Sequence, residues 1–212
     1  MKSSDPDALI AALVDDLAPA APLRRWRGLT MFAAATALTV AIVVLGAGLR
    51  PEIAAGSVDA VFLLANGLFA MLGIAAATTA ISMARPQVGN RHDGWAWAAA
   101  MVALLPAAAL AMQFIEPQVS AHGLSEGRCA VASVALGLIV TAGLTLWLRR
   151  GAPTSPARAG LLAGIAGGSV GTFAFAFHCA HDDLFHIGIW HGAAILTSAA
   201  IGRAVVPRFI RW

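Results

Sequence analysis

The chain alternates long apolar segments with short polar ones. Six segments contain no Asp, Glu, Lys or Arg, and they cover residues 29–49, 60–84, 94–115, 130–148, 159–180 and 186–202. A helix needs about 20 apolar residues to cross a hydrocarbon core about 30 Å thick, and each segment reaches or approaches that length. The pattern predicts an all-α polytopic membrane protein in which residues 28–212 form a bundle of six transmembrane helices.

A polar leader, residues 1–27, precedes the first apolar segment. Within it, apolar residues recur at the spacing of one helical face, and aspartates lie beside that face. The apolar face consists of Leu9, Ile10, Leu13, Val14 and Leu17, with Asp7 at its edge and Asp15 and Asp16 off the face. The predicted partner-binding residues are these five apolar residues together with Asp15 and Asp16. A helix that binds a membrane surface carries Lys and Arg on its polar side, so this short cytoplasmic amphipathic helix favours a basic protein partner with an apolar groove. The alternative is that it folds back onto the loops of its own bundle.

Basic residues are distributed unevenly between the two sides of the predicted bundle. If the leader is cytoplasmic, the cytoplasmic segments hold twelve of the fourteen Lys and Arg residues, and only Arg50 and Arg128 fall outside. The positive-inside rule therefore predicts a multi-pass protein of the bacterial inner membrane, embedded in the lipid bilayer with both termini in the cytoplasm. This topology accounts for a sequence pI near 9.7, so the basic charge indicates no direct nucleic-acid partner.

Composition narrows the classes of function. Hydrophobic residues make up 59% of the chain and charged residues 12%, whereas soluble domains contain about 25% charged residues. The predicted spans contain no ionisable carboxylate, Lys or Arg apart from Arg203 beside one end, which disfavours ion-coupled transport. The chain also lacks a Gly-rich phosphate loop and an HExxH motif, and we expect no enzymatic activity.

The fifth apolar segment contains glycines at four-residue spacing. Gly160, Gly164 and Gly168 define one face of a helix, and Gly167 and Gly171 define a neighbouring one. Small residues at this spacing let membrane helices approach closely, so we expect this helix at the centre of the bundle. The alternative is that glycine is simply common in membrane helices.

The two cysteines are predicted to lie at the same depth. Arg149 and Arg158 mark the two ends of the turn between the fourth and fifth helices. Cys129 lies 20 residues before Arg149, and Cys179 lies 21 residues after Arg158. Both thiols therefore reach the outer end of one antiparallel hairpin, where a disulfide is feasible if the helix ends lean together. We interpret them as a signal-sensing pair; the alternative is that they are small apolar core residues.

A histidine-rich sequence, FHCAHDDLFHIGIWH, surrounds the second cysteine. Thiolate and imidazole ligands suit zinc, cadmium and copper. The candidate metal ligands are Cys129, Cys179, His178 and His181, for a divalent heavy-metal ion that acts as a signal and not as an obligatory cofactor. The spacing matches no defined metal motif, and the histidines could instead form a solvated outer loop.

Several sequence features together resemble the NrsF-type family, the negative regulators of sigma F. They are the DLAPAAPLRR leader, a cysteine at the start of the fourth span, the FHC sequence at the end of the fifth, the WH pair that opens the sixth and the terminal GRAVVPRFIRW. Members of this family are six-span inner-membrane anti-sigma factors that hold an extracytoplasmic-function (ECF) sigma factor inactive. The resemblance implies that the leader binds the sigma factor and that Cys129 and Cys179 sense heavy-metal or redox stress.

The sequence therefore favours an anti-sigma factor that sequesters an ECF sigma factor and releases it when a periplasmic metal or redox signal reaches the two cysteines. Two other classes stay open at this point. A membrane metal transporter or exporter would use the outer histidines as an entry site. A thiol-redox or haem-binding membrane protein is the other class, and in the haem-binding case His178 and His191 would ligate the iron.

Overall fold

The structure is a computed structural model that describes residues 6–16, 23–85, 94–115, 127–181 and 183–211. Every regular element in this part of the chain is helical, with no strand, so the predicted all-α class is confirmed. The helices are α1 (Pro6–Asp15), α2 (Arg25–Ile42), α3 (Pro51–Ala54), α4 (Ala60–Met83), α5 (Gly94–Ile115), α6 (Gly127–Leu148), α7 (Pro156–Ala176), α8 (Leu184–His186), α9 (Gly192–Val205) and α10 (Pro207–Ile210). A π-helical turn, Val43–Ala47, extends α2, and a second, Ile187–His191, joins α8 to α9.

Five helical segments in the described residues are long and apolar enough to cross a membrane. They cover Arg25–Ala47, Ala60–Met83, Gly127–Leu148, Pro156–Ala176 and Leu184–Ile210. In α5, which coincides with the third predicted span, the shorter segment Trp95–Ala111 is apolar. Five of the six predicted spans therefore correspond to helices of spanning length in the described residues, and the third span stays a prediction. The ends differ most in the last segment, which continues to Ile210 instead of Gly202, and in α7.

α7 ends earlier than the fifth predicted span. The helix stops at Ala176 instead of Ala180, because the chain turns at Phe177, whose carbonyl oxygen accepts a hydrogen bond of 2.9 Å from the backbone N–H of Arg50. Cys179 consequently lies on the loop that follows α7, where it can approach residues from more than one helix.

α7 lies at the centre of the bundle, in contact with α4, α6 and α9. Its glycines make this close contact possible, because a Cβ at Gly171 would meet the carbonyl oxygen of Ser133 on α6. On another side of α7, a Cβ at Gly164 would meet the carbonyl oxygen of Ser198 on α9. The expectation that the glycine-rich helix is central is therefore confirmed.

Hydrogen bonds between loops define one end of the bundle, which we call the cysteine end. The loop between α2 and α3 meets the loop after α7 there, since the ring Nδ1 of His178 lies 3.2 Å from the carbonyl oxygen of Gly48. The bond between Arg50 and Phe177 joins the same two loops. Cys179 lies on the second of these loops, and Cys129 in the first turn of α6 lies beside it.

The opposite end, which we call the arginine end, is also joined by hydrogen bonds. The guanidinium of Arg85 donates to the carbonyl oxygen of Leu23 (2.6 Å), and the N–H of Ala152 donates to the carbonyl oxygen of Ala84 (2.9 Å). Most described arginines lie at this end: Arg24, Arg25, Arg27, Arg85, Arg149, Arg150, Arg158, Arg203, Arg208 and Arg211. Because the leader precedes Leu23, it joins the bundle at the arginine end.

Replacement of Gly171 by alanine tests the close contact between α6 and α7. The added Cβ would meet backbone atoms of Ser133 and Gly137, so the helices must separate. We expect a loss of stability of about 1–3 kcal/mol, measured as a lower midpoint of thermal unfolding in detergent. Gly67→Ala is the matched control, because no atom lies within 4 Å of the Cβ position at Gly67. Equal stability of the two variants would contradict the central position of α7.

Candidate metal- and redox-responsive site

The structure brings the two cysteine thiols into contact at the cysteine end. The Sγ atoms of Cys129 and Cys179 are 3.8 Å apart, and no disulfide joins these two residues. A disulfide bond would require about 2.05 Å, so the two sulfurs are neighbours without a covalent bond. The matched depth expected from the sequence therefore corresponds to a direct contact between α6 and the loop after α7.

Two histidines complete a compact cluster with the thiols. The Nε2 atom of His186 lies 3.5 Å from the Sγ of Cys179, and the His181 ring stacks on the His186 ring with centroids 4.8 Å apart. The ligand atoms of Cys129, Cys179, His181 and His186 all lie within 4.8 Å of one another. We call these four residues the thiol–imidazole cluster.

His178, which is a candidate metal ligand by its position next to Cys179 in the sequence, lies outside this cluster. Its exposed ring contacts the carbonyl oxygen of Gly48 and the Phe175 ring instead. The chain turns at this point, so consecutive side chains leave in different directions. The histidine beside the Cys179 thiol is therefore His186, seven residues further along the chain, and not the sequence neighbour His178.

The local backbone around His186 is held by a side-chain cap and a π-helical turn. The carboxylate of Asp183 accepts a hydrogen bond of 2.7 Å from the His186 backbone N–H, which starts α8. In an α-helix, residues five apart point about 140° away from each other. The π-helical turn Ile187–His191 bonds residues five apart, and it places the rings of His186 and His191 together, with centroids 5.2 Å apart.

His191 is buried deeper in the bundle than the cluster. It is 2% exposed, and its ring contacts Phe69 at a centroid distance of 6.0 Å. Neither ring nitrogen has a hydrogen-bond partner among the residues that the structure describes. The side-chain oxygen of Asn66 is also buried and has no partner within the described part of the chain, and both residues line a small cavity beneath the cluster. Buried polar groups are usually hydrogen-bonded to protein or to ordered water, so this cavity has a polar lining.

Arg50 covers the cluster from the side of the loop after α2. It is 5% exposed, its guanidinium pairs with Glu52 at 3.2 Å, and it lies over the Phe62 ring at 5.1 Å. Arg50 also lines the cavity together with Cys179 and His191. A buried arginine is stable only when paired, so Glu52 and the Phe62 ring explain how this charge stays at the edge of an apolar bundle.

Burial changes the chemistry of the second thiol. It raises the pKa of Cys179 to about 12, and the nearby Cys129 adds to the increase. The thiolate is the reactive form of cysteine, so Cys179 reacts slowly unless a cation displaces its proton. The cluster can therefore bind a thiophilic cation through its four ligands. Alternatively, the sulfurs can approach by almost 2 Å and form a disulfide when an external oxidant takes up two electrons and both thiol protons leave.

The leader helix is the second candidate site. None of the residues in α1 is buried, and the side chains of its apolar face, Leu9, Ile10, Leu13 and Val14, are between 54% and 61% exposed. Asp15 ends the helix and Asp16 follows it, both exposed, whereas Leu17 lies outside the described residues. The described part of the leader is thus an exposed helix on all sides, and its partner-binding face stays a prediction.

A short motif in α7 requires a separate explanation. Residues 167–171 read GGSVG, which matches the GxSxG pattern of hydrolase nucleophiles. A nucleophile elbow needs a sharp turn from a strand to a helix, but Ser169 lies in the middle of α7 and is completely buried. The match therefore reflects the small residues that let α7 contact its neighbours.

The described residues define a helical protein of membrane type, with a thiol–imidazole cluster at one end and an exposed helix connected to the other. The chain belongs to the NrsF family, described as negative regulator of sigma F, and the match covers residues 13–212. It is 28% identical over 217 residues to the Anti-sigma-F factor NrsF of Caulobacter vibrioides (strain NA1000 / CB15N), with 97% of this chain and 99% of that protein covered. No solved structure matches the chain. The family resemblance carried by the sequence is therefore confirmed.

The difference in burial between the two thiols predicts different reactivity. Cys179 is 5% exposed with a raised pKa, whereas Cys129 is only partly buried. In metal-free protein at neutral pH, N-ethylmaleimide should modify the single thiol of the Cys179→Ser variant about tenfold faster or more than that of the Cys129→Ser variant. Mass spectrometry of timed samples measures both rates. Faster modification of Cys179 would contradict its position beneath the cluster.

Proposed function

We propose that this chain is an anti-sigma factor of the bacterial inner membrane. It holds an ECF sigma factor inactive through its N-terminal leader and releases it when a periplasmic metal or redox signal reaches Cys129 and Cys179. The single observation that carries this proposal is that the leader joins the bundle at the arginine end, whereas the two thiols meet at the cysteine end. Membership of a family of sigma regulators supplies the class of partner.

The distribution of arginines supports the proposed orientation. The arginine end carries the great majority of described arginines, and the cysteine end carries Arg50 and Arg128. With α5 as a sixth span, both termini lie on the arginine side of the membrane. The positive-inside rule assigns that side to the cytoplasm, so the leader meets cytoplasmic proteins and the thiols face the periplasm.

The exposed face of α1 supports the proposed binding segment. Four large apolar side chains lie open on one side of the helix, and aspartates lie at its edge. An isolated helix of about ten residues is marginal in water, so burial of this face in a partner's groove would stabilise it. The acidic edge suits a basic surface, such as one that otherwise contacts nucleic acid or RNA polymerase.

The energy required for the switch is small. Tenfold weaker binding of the sigma factor corresponds to a bias of about 1.4 kcal/mol between the bound and released states. Formation of one metal site or one disulfide exceeds this amount by a wide margin. α7 runs from the arginine end to the loop that carries Cys179, and its glycine faces contact α6 and α9, so it is the element we propose to transmit the change.

Substitution of the leader face tests the partner. Full-length protein in detergent should co-purify with one ECF sigma factor of its own bacterium, and Leu13→Glu should weaken that complex by about 2 kcal/mol, or roughly 30-fold, because a charge replaces a buried apolar contact. Ala8→Glu adds the same charge on the polar side of α1, in line with Asp15, and should not weaken the complex. Equal weakening by both variants, or no sigma factor bound, would refute the leader assignment.

Substitution of the thiols tests the sensor. The variant with both Cys129→Ser and Cys179→Ser should keep the sigma-dependent genes repressed at rest, because the leader is unchanged, but it should lose most of their induction by cadmium or by a thiol oxidant. Transcript levels before and after exposure give the measurement. Ala130→Ser, one residue along α6, is the control and should respond normally. Wild-type induction in the double variant would rule out a thiol sensor.

A further inference from the structure

We propose that the thiol–imidazole cluster is a four-ligand site for one tetrahedral divalent cation of the zinc and cadmium class, with His181 and His186 as the second pair of ligands. The assignment of this cation as a signal rests on the proposed sensing function, whereas the cation site itself does not. The inference names two histidines as ligands, and it assigns the signal to a cation and not to an oxidant.

The spacing of the ligand atoms matches tetrahedral coordination. With metal–sulfur bonds of about 2.3 Å and metal–nitrogen bonds of about 2.0–2.1 Å, tetrahedral angles put two sulfurs about 3.8 Å apart and a sulfur and a nitrogen about 3.6 Å apart. The observed distances are 3.8 Å between the two Sγ atoms and 3.5 Å between Cys179 Sγ and His186 Nε2. The remaining pairs lie within 4.8 Å, so movements of about 1 Å close the site.

The chemistry of the ligands selects the cation. Two thiolates and two imidazoles form the Cys2His2 set that binds zinc, and they disfavour magnesium and calcium, which prefer oxygen. Binding replaces one proton on each thiol with a metal–sulfur bond and releases both protons to solvent. Two thiolates then neutralise the charge of a divalent cation, so the loaded site has no net charge and suits the edge of an apolar bundle.

The four ligands come from three segments of the chain. Cys129 belongs to the first turn of α6, Cys179 and His181 to the loop after α7, and His186 to the last turn of α8, which continues through the π-helical turn into α9. A cation would therefore tie α6 to the start of the last span. A disulfide between the cysteines would leave α8 and α9 unattached, which distinguishes the two kinds of signal structurally.

Cobalt(II) is the probe that tests the ligand set in solution. Full-length reduced protein in detergent should bind one Co2+ per chain, with the intense visible absorption of four-coordinate cobalt and a sulfur-to-cobalt charge-transfer band, and Zn2+ should displace it. His181→Ala and His186→Gln should each lower the affinity by about tenfold or more. His178→Ala is the matched control, because His178 is next to Cys179 but outside the cluster, and it should bind as the wild type does.

X-ray absorption by the zinc-loaded wild type tests the same set without any substitution. Two sulfurs at about 2.3 Å and two nitrogens at about 2.0–2.1 Å are expected. Because the side chain of His181 is exposed, His181→Ala should leave the fold intact, and a loss of cobalt affinity in that variant then reports the loss of a ligand. A cation held by sulfur and water alone, unchanged affinity in both histidine variants, or failure to bind cobalt while the thiols oxidise to a disulfide would each overturn the inference.

These measurements contain no sigma factor, so they separate the inference from the proposed function. A four-ligand site that forms without any effect on sigma-factor binding would support the inference and count against the proposed sensing. Sigma-factor release that persists in the double cysteine variant would refute the thiol sensor. The ligand set would still be decided independently by the cobalt spectra of the wild type and the histidine variants.

Discussion

Backbone contact between α7 and its neighbours is the constraint on which the rest of the structure depends. Glycines on two faces of α7 remove the side chains that would otherwise hold α6 and α9 apart, and in a membrane, where apolar burial gives little preference for one neighbour over another, such contact determines which helices pair. α6 and α7 are antiparallel neighbours, so the start of one and the end of the other coincide at the cysteine end. Contact between Cys129 and Cys179 follows from this arrangement.

The cluster forms because three different features of the chain converge on that end. The early stop of α7 at Ala176 places Cys179 on a loop, and the Asp183 cap starts α8 so that His186 faces the thiol. Arg50 covers the same region with its charge paired to Glu52. Each feature is local, but together they give a compact set of soft ligands that could respond to a cation without rearrangement of the whole bundle.

The sequence predicted the helices and the central glycine-rich helix well, because charge-free runs and glycine spacing report directly on burial and close approach. Counting from a shared turn predicted that the two cysteines lie at the same depth, and the structure adds that their sulfurs are in contact. It could not identify His186 as a neighbour of Cys179, since that depends on where α7 stops and on the turn at Phe177. The meeting of His186 and His191 depends on a π-helical turn, and helical periodicity of 3.6 residues predicts the opposite. Arg50 was expected to be an ordinary outside charge, and its burial depends on the Glu52 and Phe62 partners.

The account requires the leader and the cluster to face opposite sides of the membrane, and site-directed labelling measures this directly. In a variant with both native cysteines replaced by serine, a single cysteine is introduced at Ser57, which is exposed at the cysteine end, or at Ala8 in α1. Whole cells with a permeabilised outer membrane are treated with a membrane-impermeant maleimide. The account predicts that Ser57→Cys is labelled in intact cells and Ala8→Cys only after lysis. Labelling of both positions in intact cells, or of Ala8→Cys alone, would contradict it.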